Sequence, residues 1–335
     1  MKRKILSILA LVVMVTSASM VFAWGVWGHE HANHGAVFAL PEGMRKFFYN
    51  HIDFITQEAT VPDLRKYTLG DKVEGQRHYI DLEDYGFTNL DSAPRTLKDA
   101  AAKYNEKTLQ DQGILPWYIQ EMTSKLTDAF KSKRRNEILF LAGDLGHYLA
   151  DANMPLHTSN NHDGQLTKQK GIHSFWESQL PEYFGSNYYL HVQDAVYLKD
   201  VTAASWDIIK HSHSLADSLL TIERNVMASF PENKLYKKDS SGNIAKNIFG
   251  RTVFSDDFAA AYHKALGGMV ESQLKHAIQD IANFWYTAWV NAGKPDLNQL
   301  DSPEVTAANS KKYERELKLY NKGKISGFKP EKEYR

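Results

Sequence analysis

The sequence contains no cysteine among its 335 residues. Disulfides, thiolate metal sites and thiol nucleophiles are therefore excluded. Stability must come from a large apolar core, helped by any metal that imidazole and carboxylate groups can hold. An excess of one charge is also missing, since 40 Lys and Arg stand against 40 Asp and Glu. That gives no support for a broad basic surface of the kind that grips duplex nucleic acid, but it leaves open a strand bound locally at metals. No Gly-x-Ser-x-Gly motif is present, and few segments alternate apolar and polar residues as strands do.

Long apolar runs are confined to the N-terminus. Lys2, Arg3 and Lys4 precede an apolar stretch from Ile5 to Val15 that only Ser7 interrupts, and Val21 and Ala23 suit the −3 and −1 positions of a cleavage site. Residues 1–23 read as a secretory signal, too short for a span. The alternative is a membrane anchor that stays attached. Cleavage would make Trp24 the new N-terminus. It would also remove three basic residues, leaving 37 basic against 40 acidic. The mature protein is expected to be exported, periplasmic or secreted, with no transmembrane span.

Helical periodicity dominates what remains. Over 134–152, Ile138, Leu141, Ala142, Leu145 and Leu149 form one stripe, and Phe140, Asp144, His147 and Asp151 form another. Such a helix is expected to be buried on both faces. Residues 201–229 and 256–292 read as long helices, and Pro116 fits the start of a helix running to about Phe130. The Asn-, Thr-, Gly- and Gln-rich stretch 158–172 reads as a loop, and Lys237 to Asn243 as a polar break. Trp206, Trp285 and Trp289 are expected in the core. The expectation is one all-α, multi-helix domain over residues 24–300. A charged segment, 301–335, follows as a surface tail or peripheral helix.

Residues 147–177 carry the chemistry. His147 and Asp151 are four apart, so on a helix they share a face, and His173 and Glu177 repeat that spacing. The turn at Pro155 lets His157 return towards the same place. Five imidazole and carboxylate donors without a thiol suit zinc at a hydrolytic site. Asp63, after Pro62, and His78, which opens His-Tyr-Ile-Asp, are further candidates. A free amine and carbonyl at Trp24 could chelate zinc, and His29 could reach the same ion. Asp144 is expected to support His147. Asp81 could orient His78, contact substrate or serve as a helix or loop cap, Tyr79 could stack on a base or simply pack, and Arg65 and Lys66 could meet a phosphate or stand as solvated charges. His31, His34 and His162 are expected in surface or loop roles.

These residues resemble one superfamily, the zinc-dependent phospholipases C and the single-strand-specific zinc nucleases. Trp24-Gly-x-x-Gly-His29 looks like the nuclease branch. His147-Tyr-Leu-x-Asp151 and Pro155-Leu-His157 are similar to both. Gly171-x-His173-Ser-x-x-Glu177, with its short spacer from His157, looks more like the phospholipase branch. The resemblance implies an all-α fold with three zinc ions. Asp63, His78, His147 and Asp151 would hold the first ion, and His157, His173 and Glu177 the second. The Trp24 amine and carbonyl, His29 and a shared oxygen of Asp151 would hold the third. It implies catalytic roles for Asp63 and Asp151, with water between the paired ions as nucleophile. Leu64 and Gly75 offer no aromatic cage for a choline head group. The expected activity is phosphodiester hydrolysis on a phospholipid head group or on single-stranded nucleic acid, with slight preference for the former. A non-catalytic zinc-binding surface protein is the contrasting class; retention of every ligand position argues against it.

Overall fold

The computed structural model describes residues 24–325 except 68, 72, 88, 248 and 249. The expected signal, residues 1–23, and the last ten residues of the expected tail lie outside the described residues. The chain opens with four helices, α1 (Gly25–Ala39), α2 (Glu42–Asn50), α3 (Ile52–Glu58) and α4 (Val61–Tyr67). Irregular chain and short 3-10 turns lead to α5 (Leu97–Lys103), α6 (Glu106–Gln112), α7 (Leu115–Lys131) and α8 (Arg135–Ala152). Ile172–Ser174, the π-helical turn Phe175–Gln179 and Leu180–Phe184 follow one another as a single helical stretch, α9. Then come α10 (Val201–Ser229), α11 (Asp256–Ala265), α12 (Met269–Asn291) and α13 (Pro303–Tyr320). Among the described residues there is no sheet, only isolated bridges within 236–254. The fold is all-α. No described helix is long and apolar enough to cross a membrane.

Helix α8 is the centre, packed against α1, α3, α7 and α12. Ile138, Ala142, Leu145 and Leu149 are fully buried, as are His147 and Asp151 on the second stripe. Phe140 departs from that stripe, being 50% exposed near the helix start, edge-on to Phe54. Close approach between helices needs small residues here. A Cβ at Gly146 would sit 1.9 Å from Asn33 Oδ1. The Asn33 amide in turn donates to the Ile55 and Gly143 carbonyls, tying α1 to α3 and α8. That contact brings the His29 and His147 rings into a stack with centroids 4.0 Å apart.

The long helix expected over 256–292 is broken. Gly267 and Gly268 both have positive φ, 58° and 88°, and separate α11 from α12. That conformation is open to glycine and ends an α-helix. Within α12, Leu274, Ile278, Ile281 and Trp285 are fully buried. Trp206 is 3% exposed, and Trp289 is half-buried with its indole donating to Pro295. Helix α13, in the segment read as a tail or peripheral helix, packs on α1 and α2 and buries Glu316 and Tyr320. His31 and His34 correct the expected surface role, since both are buried in α1. His31 stacks on Trp27 and bonds its carbonyl, and His34 faces Glu316 of α13 at 3.6 Å.

Candidate metal centre

Three groups of ligand-type residues meet inside the bundle. They are His29, His147 and Asp151; Asp63, His78 and His147; and His157, His173 and Glu177. All are buried, so every sequence candidate with a ligating side chain falls in one cluster. The residues come from α1, α4, the irregular chain after it, α8, the turn Pro155–Thr158 and α9.

Asp151 joins the first two groups. Its Oδ2 lies 3.0 Å from His78 Nδ1 and 3.2 Å from His147 Nε2. Its Oδ1 lies 3.4 Å from His29 Nε2. His78 Nδ1 stands 3.6 Å from Asp63 Oδ1. In the last group, Glu177 Oε2 is 3.1 Å from His173 Nε2 and 3.6 Å from His157 Nε2. Two ligand atoms on a tetrahedral zinc at roughly 2.0–2.1 Å stand about 3.3 Å apart. The six separations, 3.0–3.6 Å, lie close to that figure. His29 Nε2, Asp151 Oδ1, His157 Nε2 and Glu177 Oε1 are buried without a hydrogen-bond partner, a deficit that cations would satisfy.

The imidazoles are held from behind. His147 Nδ1 meets the Ala59 carbonyl at 2.7 Å, His157 Nδ1 the His78 carbonyl at 2.6 Å, and His173 Nδ1 the His162 carbonyl at 2.8 Å. Each Nδ1 therefore carries the proton, and each Nε2 lone pair faces the cluster. Glu177 and His173 sit on α9 where the helix widens into the π turn. Pro181 has no N–H to return to the Glu177 carbonyl, and its ring crowds that carbonyl. The ladder answers by bonding Leu180 N to Phe175 O, five residues back.

The N-terminal motif has a packing reason. The Trp24 indole is fully buried, donates to the Ala150 carbonyl at 2.6 Å and meets Trp176 edge-on at 5.2 Å. A Cβ at Gly28 would lie 3.0 Å from Trp24 Cβ and Cε3, so glycine there leaves room for the indole. The Trp24 backbone nitrogen donates to Glu177 Oε2 at 2.9 Å, which places it beside the third group's carboxylate.

Electrostatics point the same way. Burial opposes ionisation of Asp151, but the His147 and His157 charges outweigh it and hold the carboxyl well below its usual range. Burial raises Asp63 despite His147 and His78 nearby. Burial lowers His147, but Asp151 more than compensates, so its imidazolium is pushed up to about 9. Burial, then His147, lowers His29 well below the usual range. Without metal the cluster draws in protons to balance its carboxylates, and metal binding would release them.

Supporting residues differ from expectation at three points. Asp144 does not hold His147; it takes Arg65 Nη2 at 2.7 Å. Asp81 does not orient His78; its buried Oδ1 has no hydrogen-bond partner. Glu74 stands behind His78 instead, with Oε1 3.3 Å from Nε2. Arg65 is engaged by Glu74 and Asp144 rather than turned to a phosphate. Glu74 is not among the residues the sequence singled out. The signal was its place four residues before His78. His162 is an exposed loop residue whose carbonyl, not its ring, serves the site.

The chain matches the S1/P1 Nuclease family over residues 24–284, starting at Trp24 and spanning all three groups. Searches of curated proteins and of solved structures return no match. With all three groups inside a match over most of its length, the chain belongs to the S1/P1 nuclease family, zinc-using hydrolases that act on phosphodiester bonds.

Proposed function

We propose that the protein is an exported trinuclear zinc nuclease that cleaves single-stranded nucleic acid and also accepts 3′-nucleotides. The observation that carries this reading is the meeting of two of the ligand groups at Asp151, whose two oxygens face different partners, with the third group beside them. In this reading Asp63, His78, His147 and Asp151 hold one ion, and His157, His173 and Glu177 a second. The Trp24 amine and carbonyl, with His29 and Asp151, hold a third. When bound, the ions would supply Lewis-acid chemistry, drawing charge from phosphate oxygens and acidifying a water.

The chain's own groups do the rest. Asp63, Asp151 and Glu177 are 0% exposed, so their charges act in a medium that screens them little. The backbone carbonyls of Ala59, His78 and His162 fix three imidazoles before substrate arrives. Asp81 supports a nucleobase subsite. Its Oδ1 is buried without a hydrogen-bond partner, and burial, then Asp84 and Glu83, pushes its carboxyl up to about 7. Such a group can accept from or donate to a base edge. Tyr79, half-buried two residues before it, supplies an adjacent ring. Lys66 lies one turn past Asp63, and its charge adds a small part to the lowering of His162 that burial and then His173 dominate, a position suited to a phosphate. Export follows from the signal reading, because only cleavage before Trp24 frees its amine.

One feature favours a phospholipase C-like reaction as the second reading, namely the short His157-to-His173 spacer ending in Glu177. The test is a panel on zinc-loaded protein beginning at Trp24, with single-stranded DNA, RNA, a 3′-nucleotide and phosphatidylcholine vesicles. Cleavage of the nucleic acids, abolished by a chelator, is the expected result. Turnover of the lipid with none of the nucleic acids would replace the first reading with the second.

A further inference from the structure

Among the histidines of the three groups, His78 is turned round. His147, His157 and His173 set Nδ1 against backbone carbonyls and present Nε2. His78 presents Nδ1, 3.0 Å from Asp151 and 3.6 Å from Asp63, and directs Nε2 outward. That Nε2 is buried without a hydrogen-bond partner, and the Glu74 carboxylate faces it with Oε1 3.3 Å away.

Glu74 is 0% exposed and firmly held. The Tyr148 hydroxyl donates to Oε1. Arg77 Nη1 and Arg65 Nε reach Oε2 at 2.7 and 3.3 Å. Arg65 and Tyr148 link this carboxylate to α4, which carries Asp63, and to α8, which carries His147 and Asp151. The two guanidinium groups crowd one oxygen. The other oxygen is left to Tyr148 and His78, an arrangement that a purely structural ion pair would not need.

We propose that Glu74 is the positioning residue of the Asp63–His78–His147–Asp151 site: it accepts the Nε2 proton of His78, fixes Nδ1 as the ligating atom, and so sets the affinity for one zinc ion. The proposal rests on the zinc reading above. A carboxylate behind an imidazole makes it a stronger donor than a carbonyl does. His78 is then the imidazole whose donor strength is set by a charged side chain. Its ion should be the one most sensitive to this network.

The experiment titrates zinc into chelator-stripped protein beginning at Trp24, in competition with a chromophoric chelator. Wild type is compared with Glu74→Gln. Wild type should bind about three ions. The variant should bind one of them about 10- to 100-fold more weakly, with the other two unchanged, and excess zinc should restore its turnover. Unchanged affinities in the variant would overturn the positioning role while leaving the zinc reading intact. A wild type that binds no zinc would overturn both. Should the variant fail to fold, ¹⁵N-histidine NMR of zinc-loaded wild type decides. One imidazole should bind through Nδ1 while keeping Nε2–H. Finding every zinc-bound imidazole attached through Nε2 would overturn the proposal.

Discussion

Replacing Asp151 by Asn tests whether one carboxylate joins the ligand groups. Its two oxygens stand 3.0 Å from His78, 3.2 Å from His147 and 3.4 Å from His29. An amide keeps one oxygen, turns the other corner into a donor and carries no charge, so it cannot serve two cations. The magnitude follows from linkage. An ion present at a thousand times its Kd stabilises the native state by about 4.1 kcal/mol, and three such ions by about 12 kcal/mol. For a domain of roughly 300 residues, an unfolding entropy of about 2.1 cal/mol/K per residue turns 1 kcal/mol into about 1.6 °C. Zinc loading should then raise the melting temperature by about 20 °C. The variant, left with the His157–His173–Glu177 group alone, should gain only about 6–7 °C. Calorimetry on each protein, chelated and then zinc-loaded, reads the increment within one sequence, so any effect on the metal-free fold drops out. Both increments should shrink in acid, because the ligands must shed protons to bind. A variant that keeps the whole increment would refute the bridge. A wild type indifferent to chelation would refute the metal centre itself.

A protein with one Met added before Trp24 should fold but hold about one zinc fewer and lose at least about tenfold in turnover, because the buried nitrogen facing Glu177 stays an amide. Equal zinc content and rate in the extended and authentic proteins would remove the terminal-amine site. Asp280→Asn addresses pH. Burial pushes this carboxyl up to about 7, against the lowering effect of its Asn153 hydrogen bond. The folded state thus holds a proton that the unfolded chain has released, and stability falls as pH rises from about 4 to about 7. Asn should cancel that decline and raise stability at pH 8 by roughly 1–2 kcal/mol, half or less of the full shift because the residue is partly exposed. Denaturant melts with the same pH slope in variant and wild type would sink the assignment.

Much of the fold is legible in periodicity, and the exceptions have local causes. The stripe Ile138, Leu141, Ala142, Leu145, Leu149 turns inward as the 3.6-residue period requires, with Leu141 half-buried and the other four fully buried. The break at Gly267-Gly268 was hidden because apolar residues continue on both sides of it at helical spacing. Composition left α13 open between a surface tail and a peripheral helix. Its Lys-rich sequence reads as solvated, yet Tyr313, Glu316, Leu317 and Tyr320 fall on one face and pack inward. His31 and His34 mislead for a related reason. Their neighbours in α1 are Gly, Ala and Asn, which give no strong apolar stripe, while the helix is buried almost all round.

The candidate ligands themselves are legible because metal chemistry demands particular side chains at particular spacings. What holds those ligands is not, and the reason is chemical. Three of the imidazoles lean on the carbonyls of Ala59, His78 and His162. Every residue has a carbonyl, so no letter of the sequence can mark these three. Their partners also lie as far as 88 residues away along the chain. The same fact limits how the centre can vary. A substitution at Ala59 or His162 leaves the carbonyl in place as long as the backbone holds, so those two tethers resist change by single mutation. Glu74 is different, because it holds His78 with a side chain that a single substitution removes. Variation in the metal affinity of this centre is therefore expected to pass through position 74 and its partners Arg65, Arg77 and Tyr148 more readily than through the carbonyl-held histidines.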